Sequence, residues 1–519
     1  MTTKSLFLSS ILLLLCSCVF SSNYKVNTAN QFFVDSDNRV VIFHGVNAIY
    51  KLAPFYPPVL DGFDPDLSLS ETDFQNLRSW GLNFIRLHVA WEGVEPQRNQ
   101  YNNTYLDVLL KIVRTAAKYN VTVLLDAHQD VVNRKLCGEG FPDWAVNRTD
   151  FPAPLEVNIT FDDQGHAKIA DCTKVDFGKF YSTNDVKNAF KAFYTDVDGI
   201  AESFTNFWKY VAGYFKEEPN VLGYEIINEP NAFDDSLIQQ LDKKYLQPLY
   251  QRVHQKIREV DNNTIIFFEN YAGDVVSIGF TEGPGGPEYN DRQVLSYHIY
   301  CPSVDHSGEP IDPAVCQAAD VAAAKLKTAA ASRLGIGAFM TEFGAVYDGK
   351  KSIDEINRVT GLADNYLHSW AYWQLKWYDD FTTLDMPGSV ESFYEVDGDL
   401  QMPKVRALSR TYAYAICGVP VSQIFNTVTG QYDLVYNASS QCNGKKTEIF
   451  VSEDFYYPSG FNYVFTNCSQ CSLHRINENE KSYYQIGLSS GIAEGTQIRI
   501  TIVQAAGHIS QNKTENIVV

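Results

Sequence analysis

Between residues 40 and 377, short runs rich in β-branched and aromatic residues alternate with stretches whose apolar positions recur at helical spacing. That alternation marks βαβ units and a parallel sheet. The runs are Val40 to Val46, Asn83 to Val89, Val121 to Asp126, Val221 to Ile227, Thr264 to Glu269, Gln293 to Tyr300, Ile336 to Glu342 and Trp370 to Trp377. Eight of them in one continuous region predict a (β/α)8 TIM barrel. An open doubly wound sheet would have fewer strands and a phosphate-binding Gly turn, and no such turn follows the first run. Ser70-Glu71-Thr72-Asp73 opens a helix like a capping box ahead of Phe74, Leu77 and Trp80, and Gly81 ends it. The stretch between the third and fourth runs is far longer than a barrel helix needs and reads as an insertion above the barrel mouth.

After Gly418-Val419-Pro420 the amphipathic helices stop. Alternating, aromatic-rich runs follow at Thr447 to Ser452, Tyr483 to Leu488 and Gln497 to Val503. The expected fold class is therefore α/β: a (β/α)8 TIM barrel over residues 23–418, followed by a C-terminal antiparallel β-sandwich over 419–519. Residues 1–22 read as a signal peptide, because Lys4 precedes a short apolar run from Leu6 to Leu15 and small residues follow. No later stretch is apolar for long enough to span a bilayer, and the C-terminal residues carry neither a lipid-anchor tail nor a retention signal. The expected location is secreted or endolysosomal, in a digestive lumen.

Cys16 and Cys18 leave with the signal, and the remaining eight cysteines form an even set suited to disulfides in an oxidising compartment. Cys137 with Cys172 and Cys301 with Cys316 read as loop staples, and Cys417, Cys442, Cys468 and Cys471 as pairing among themselves. A zinc site at Cys468-x-x-Cys471, near Cys442 and His474, is the alternative. Sequons stand at Asn102, Asn120, Asn147, Asn158, Asn262, Asn437, Asn467 and Asn512. With 45% hydrophobic residues the chain can bury a large core, and its formal charge of −20 argues against nucleic acid as a partner.

Ligands of such a barrel bind at the C-terminal ends of its strands. Those ends are polar here: Asp126-Ala127-His128-Gln129-Asp130, Asn228-Glu229-Pro230, Glu269-Asn270, His298-Ile299-Tyr300 and Thr341-Glu342-Phe343-Gly344. Alone, Glu229 could be a capping or ion-paired carboxylate. Glu342 changes that reading, because strands four and seven face each other across a closed eight-stranded barrel. Two carboxyl groups converging on one bond suit glycosidic cleavage, in which one protonates the leaving oxygen and the other stabilises or attacks a carbon with oxocarbenium character.

Asn228-Glu229-Pro230, Thr341-Glu342-Phe343-Gly344, Arg86 on the second run and His298-x-Tyr300 on the sixth together resemble glycoside hydrolase family 5 over the whole barrel. The resemblance implies retention through a covalent glycosyl enzyme, Glu229 as acid/base and Glu342 as nucleophile, their carboxyl groups about 5 Å apart. Further segments resemble the endoglycoceramidase branch: Phe43-His44-Gly45-Val46-Asn47 followed by Lys51, Leu125 to Asp130, Ile226 to Pro230, and Ser409-Arg410-Thr411-Tyr412 leading to Gly418-Val419-Pro420. Many family members carry His-Asn where this chain has His128-Gln129-Asp130, a departure that favours this branch over cellulose or mannan enzymes. The branch implies cleavage of the β-linkage between glucose and ceramide, releasing intact oligosaccharide, by a monomer without metal or other cofactor, acting on a glycosphingolipid in a micelle or membrane. Family 5 β-glycanases of endoglucanase or mannanase type, β-glucosylceramidase and an inactive sugar- or glycolipid-binding protein are the alternatives.

On this reading Asn228 donates to a sugar 2-hydroxyl, Tyr300 and Arg86 keep Glu342 ionised, Lys51, His128 and Asp130 bind hydroxyls of the leading glucose, and Trp373 offers a stacking face. Each has a structural alternative: Arg86 and His298 as buried floor partners, Lys51 as a solvated loop lysine, and at least one of Trp370, Trp373 and Trp377 as packing. Glu269 ranks as structural or peripheral. The loop Ile49 to Pro58 is apolar enough to receive lipid or to pack beneath the insertion. The segment Phe455 to Phe461, with Tyr456 and Tyr457, reads either as core or as a face laid on a membrane or micelle.

Overall fold

The structure, a computed structural model, describes residues 24–149, 157–234, 236, 240–274, 279–305, 308–382, 390–478, 480–488 and 492–505. The signal segment, the sequon at Asn512 and the C-terminal residues lie outside the described residues.

Eight parallel strands close into a barrel: β1 (His44–Ala48), β2 (Phe84–His88), β3 (Thr122–Asp126), β4 (Val221–Glu225), β5 (Ile265–Phe268), β6 (Gln293–Ile299), β7 (Gly337–Gly344) and β8 (Ser369–Trp373). Each falls within or beside one run of the sequence pattern. Helices on the outside cover them. Asn103–Lys118, for example, is capped by Asn102, whose side chain accepts the Tyr105 N–H, and it buries Leu106, Leu109, Ile112, Val113 and Ala116 along one stripe.

The first run divides between two sheets. Val40–Val41 pairs antiparallel with Ala415 and Ile416, while His44–Ala48 enters the barrel. An unbroken apolar run fits either sheet, and only the partners distinguish them. Two further N-terminal strands, Lys25–Val26 and Phe33–Val34, extend the same outer sheet.

That outer sheet has seven strands: the three N-terminal ones, then β9 (Tyr412–Ile416), β12 (Glu448–Phe450), β15 (Tyr483–Gly487) and β14 (Ser472–Arg475). A four-stranded antiparallel sheet, β10 (Gly418–Phe425), β11 (Tyr432–Ala438), β16 (Gln497–Gln504) and β13 (Phe461–Thr466), packs against it. Tyr432, Leu434, Tyr436, Ile498, Ile500 and Ile502 point inward to Ile449 and Ile486, the period-2 burial expected of stacked sheets.

The cysteines pair as Cys137–Cys172, Cys301–Cys316, Cys417–Cys442 and Cys468–Cys471, and the last pair removes the thiolates that a zinc site would need. The insertion is tied down by aromatics. Trp91, just after β2, packs on Phe141, Trp144, Phe193 and Phe204. Tyr456 and Tyr457 are buried, their hydroxyls donating to Arg406 O and Gly430 O, so of the two readings of that segment these residues follow the core one.

Candidate active site

Side chains of alternate barrel positions stack in layers. Phe43, Phe84, Leu124, Leu222, Phe267 and Phe339 form an apolar floor, closed from below by Phe33 of the N-terminal strand. Two residues further along β2 the same alternation brings in Arg86, fully buried, which organises the next layer. Its Nε meets Glu225 Oε2 at 2.5 Å, Nη1 meets Glu342 Oε1 at 2.5 Å and Asn47 Oδ1 at 3.2 Å, and Nη2 meets Asp126 Oδ2 at 3.0 Å and Asn228 Oδ1 at 2.9 Å. Arg86 is thus both a floor partner and the cation under Glu342.

Glu342 and Glu229 stand on opposite walls above this layer. A register shift between Met340 and Glu342 sets Glu342 opposite His298 on the neighbouring strand. His298 Nδ1 lies 2.7 Å from Glu229 Oε1 and 3.4 Å from Glu342 Oε2, and the Tyr300 hydroxyl donates to Glu342 Oε2 at 2.7 Å. An oxygen of Glu229, an oxygen of Glu342 and a nitrogen of His298 all lie within 4.8 Å of one another. Glu229 sits at the end of β4 with φ +38°, in the left-handed region, its carbonyl accepting from Gln129 Nε2 and its N–H donating to Glu269 Oε1. Its side chain keeps 27% of its surface open, against 5% for Glu342.

Electrostatics separates these groups. Burial pushes Glu342 above the ordinary carboxylate range, while His298, Arg86 and the Tyr300 O–H pull it back. Burial alone would discharge His298, but Glu342, Glu269 and Glu229 raise it to about 10, so it is an imidazolium. Burial raises Glu269 to about 8 and holds Asp126 well above its usual value. Five carboxyl groups crowd around two cations, and like-charge repulsion keeps protons in the cluster.

Beside this pair lies a second polar group. Lys51, expected either as a hydroxyl ligand or as a solvated loop lysine, is fully buried, which rules out the solvated form. Its Nζ meets Asp130 Oδ2 at 2.7 Å, Asp380 Oδ2 at 2.8 Å and Thr382 Oγ1 at 2.6 Å, and stands 4.9 Å from the centre of the Trp373 ring. His128 stacks on Trp373 with centroids 5.1 Å apart. Burial keeps His128 neutral, with Nδ1 directed to Asp126 Oδ2 at 2.8 Å and Nε2 as the acceptor side. Burial would raise Asp130, but the Lys51 ammonium holds it well below the usual range. Asn228 spends its carbonyl oxygen on Arg86 and points Nδ2 at Gln129 O, 3.1 Å away, and at His128 Nε2, 3.4 Å away. The Trp373 Nε1 is buried without a hydrogen-bond partner, whereas Trp370 packs outward on His44.

All ten residues expected at the site surround one end of the barrel. Sequence reasoning missed Glu225 and Asp380, which complete the Arg86 and Lys51 ion pairs, and Glu139, a buried acid whose oxygens have no hydrogen-bond partner. The signal for Glu225 was a charge inside an otherwise apolar run. Three donor sets near the centre are close enough for a cation: Glu229/His298/Glu342, Glu225/Glu269/His298 and His128/Asp130/Glu139. The charged imidazole shared by the first two and Lys51 beside the third oppose one electrostatically.

The sequence matches the Cellulase (glycosyl hydrolase family 5) model over residues 63–379 and the glycoside hydrolase family 5 C-terminal domain over residues 410–502. An endoglycoceramidase of Hydra vulgaris is 37% identical over 518 residues, 95% of each chain. One of Cyanea nozakii is 36% identical over 447 residues, covering 84% of this chain and 86% of that one. Among solved structures, endo-glycoceramidase II from Rhodococcus sp. in a five-membered iminocyclitol complex superposes with a TM-score of 0.73 at 22% identity, over 91% of this chain and 99% of that one, a likeness of fold.

Proposed function

The chain belongs to glycoside hydrolase family 5, with endoglycoceramidases among its relatives, and on that premise we propose that it is a retaining endo-β-glycosidase that cuts between the reducing-end glucose and the ceramide of a glycosphingolipid. The observation that carries this reading is the Glu229/Glu342 pair. Oxygens within 4.8 Å leave no room for the water that an inverting enzyme places between its acids. Glu342, next to Arg86 and Tyr300, is the group equipped to carry negative charge and attack the anomeric carbon. Glu229, more open and lacking a guanidinium partner, gives its proton to the leaving oxygen of ceramide. It then takes one from the water that releases the sugar, with His298 stabilising the carboxylate between the two steps.

Trp373 is the stacking face for the leading glucose, and His128, Asp130 and Asn228 hold its hydroxyls, while Lys51, its three N–H groups spent on Asp130, Asp380 and Thr382, fixes Asp130 from behind. The lipid side is supported by an apolar rim after β6, where Val304 and Ile311 on the loop and Val315 in the first turn of the helix Pro313–Leu334 are 41%, 62% and 46% exposed, clipped by Cys301–Cys316. Phe55 and Tyr56 of the loop after β1 instead pack on the core and are only partly open. No described helix is long and apolar enough to cross a membrane. We take the protein to act as a monomer on substrate held in a micelle or membrane. We read residues 1–22 as a signal peptide, 23–418 as the catalytic barrel and 419–519 as the appended domain of a secreted or endolysosomal enzyme.

Incubation with a ganglioside, lactosylceramide, glucosylceramide and a soluble β-glucan, followed by chromatography of released sugar, tests the reading. Intact oligosaccharide from the glycolipids is expected; glucan fragments alone, or glucose alone, would reject it.

A further inference from the structure

Two contacts on Glu229 lead to one side chain that the reaction scheme does not use. The Glu229 backbone N–H donates to Glu269 Oε1 at 2.5 Å. The Glu229 carboxylate meets His298 Nδ1, and the far nitrogen of that ring, Nε2, is buried without a hydrogen bond and faces Glu269 Oε2 at 3.9 Å. Glu269 lies just past β5 and is itself buried; its own carbonyl is fixed by the Tyr250 hydroxyl at 3.1 Å. Resting on the reading of Glu229 as acid/base, we propose that Glu269 is a positioning residue for that acid: one oxygen clamps the N–H of Glu229 in its left-handed turn, and the other faces the far nitrogen of the imidazole that touches the Glu229 carboxylate.

The clamp answers a specific need. A residue with a Cβ at φ +38° relaxes toward negative φ unless its backbone is held. Such relaxation would swing the carboxyl away from the leaving oxygen, and a displacement of this size is costly in an acid that must be aligned in the transition state. The second contact acts on the other end of the acid. The ring of His298 stands between the two carboxyls, Nδ1 on Glu229 Oε1 at 2.7 Å and Nε2 toward Glu269 Oε2 at 3.9 Å, so a side chain at 269 limits where the partner of the Glu229 carboxylate can move. Glu269 exchanges no proton with substrate: the proton given by Glu229 leaves on ceramide, and the one it regains comes from water. The other groups facing Glu269 are Arg86, Glu225 and Asp126 in the barrel, Lys327 from the helix Pro313–Leu334 and Tyr250.

The test compares Glu269→Leu, Glu269→Gln and Glu229→Gln on a glycolipid, whose ceramide must be protonated to leave, and on an aryl β-glycoside with a leaving group that needs no proton. Glu269→Leu is expected to lose about 100-fold in kcat on the glycolipid, as for a misaligned general acid. Its KM and its burst on the aryl glycoside stay within about threefold of wild type. Glu269→Gln retains an acceptor for the Glu229 N–H and should recover most of that kcat. Equal loss on both substrates, or an unchanged kcat in a folded Glu269→Leu protein, overturns the proposal. If Glu269→Leu does not fold, a Glu269→Gln protein whose kcat on the glycolipid falls as far as that of Glu229→Gln overturns it instead. A Glu229→Gln protein without leaving-group dependence would fault the acid/base reading itself, whatever Glu269 does.

Discussion

Arg86 on the second strand and Glu342 on the seventh meet across the barrel, Nη1 to Oε1 at 2.5 Å, with both side chains almost wholly out of solvent. Because the same guanidinium also holds Glu225 and Asp126, replacing it by Met leaves three buried carboxyls without their shared cation. Arg86→Met should lose about 3–5 kcal/mol of stability, the cost of stranding a buried charge. Arg86→Lys, a point charge without the fork, should fold better yet lose about 100-fold in kcat through the misplaced Glu342. Thermal denaturation beside steady-state kinetics checks both, and an Arg86→Lys enzyme with normal kcat would contradict the role given to the fork.

The acid limb of kcat/KM should report Glu342, which must be ionised to attack. Burial outweighs His298, Arg86 and Tyr300, so half-activity on that side is expected above pH 4.5, the ordinary glutamate value. Tyr300→Phe removes a donor that favours the charged form, and should move the limb further up. A limb that stays in place or moves down in Tyr300→Phe would count against Glu342 as the group observed.

Stability should fall in acid through buried neutral histidines. Burial lowers His88 and His254 from 6.5 to about 4. The unfolded chain therefore binds more protons between those values, so their contribution is whole above pH 6.5 and is lost as pH falls toward 4. For the fully buried His88 the loss is about 1.4 kcal/mol for each pH unit that separates the folded from the unfolded titration. The Arg258 Nε donates to His254 Nε2 at 3.2 Å, an acceptor role that a Gln oxygen can take over. His254→Gln should melt closer to the same temperature at pH 4.5 and pH 7 than wild type does, and an undiminished acid effect would show that His254 does not carry it.

The rim after β6 should matter only when substrate is in a bilayer. Ile311→Asp, at a position 62% exposed, should leave turnover of a soluble aryl glycoside unchanged while lowering the rate on glycolipid in vesicles by about tenfold, the loss of a buried apolar side chain. Equal rates on both forms would remove the rim from the lipid side.

Much of the site was legible because it sits where strand alternation ends. Asn228-Glu229-Pro230, Thr341-Glu342-Phe343-Gly344 and His298-x-Tyr300 are polar groups terminating apolar runs, and the barrel topology brings those ends together. What escaped the sequence depends on non-local partners. Lys51 looks like a loop lysine until Asp130 and Asp380, far along the chain, are brought to it. Glu225 lies within the run of β4 and gains meaning only from Arg86. Val40 and Val41 belong to the outer sheet because Ala415 and Ile416 are there to pair with them. Tyr456 and Tyr457 resemble an interfacial face and are core because Arg406 and Gly430 offer carbonyls to their hydroxyls.

The most direct test of the Glu229/Glu342 assignment is a trapping measurement. Glu229→Gln protein is mixed with an aryl β-lactoside bearing an activated leaving group, quenched, digested and read by mass spectrometry. A lactosyl adduct on the peptide containing Glu342, accumulating with the release of the aryl group, is the predicted result. An adduct on another residue, or a burst of aryl group with no adduct, would contradict the account.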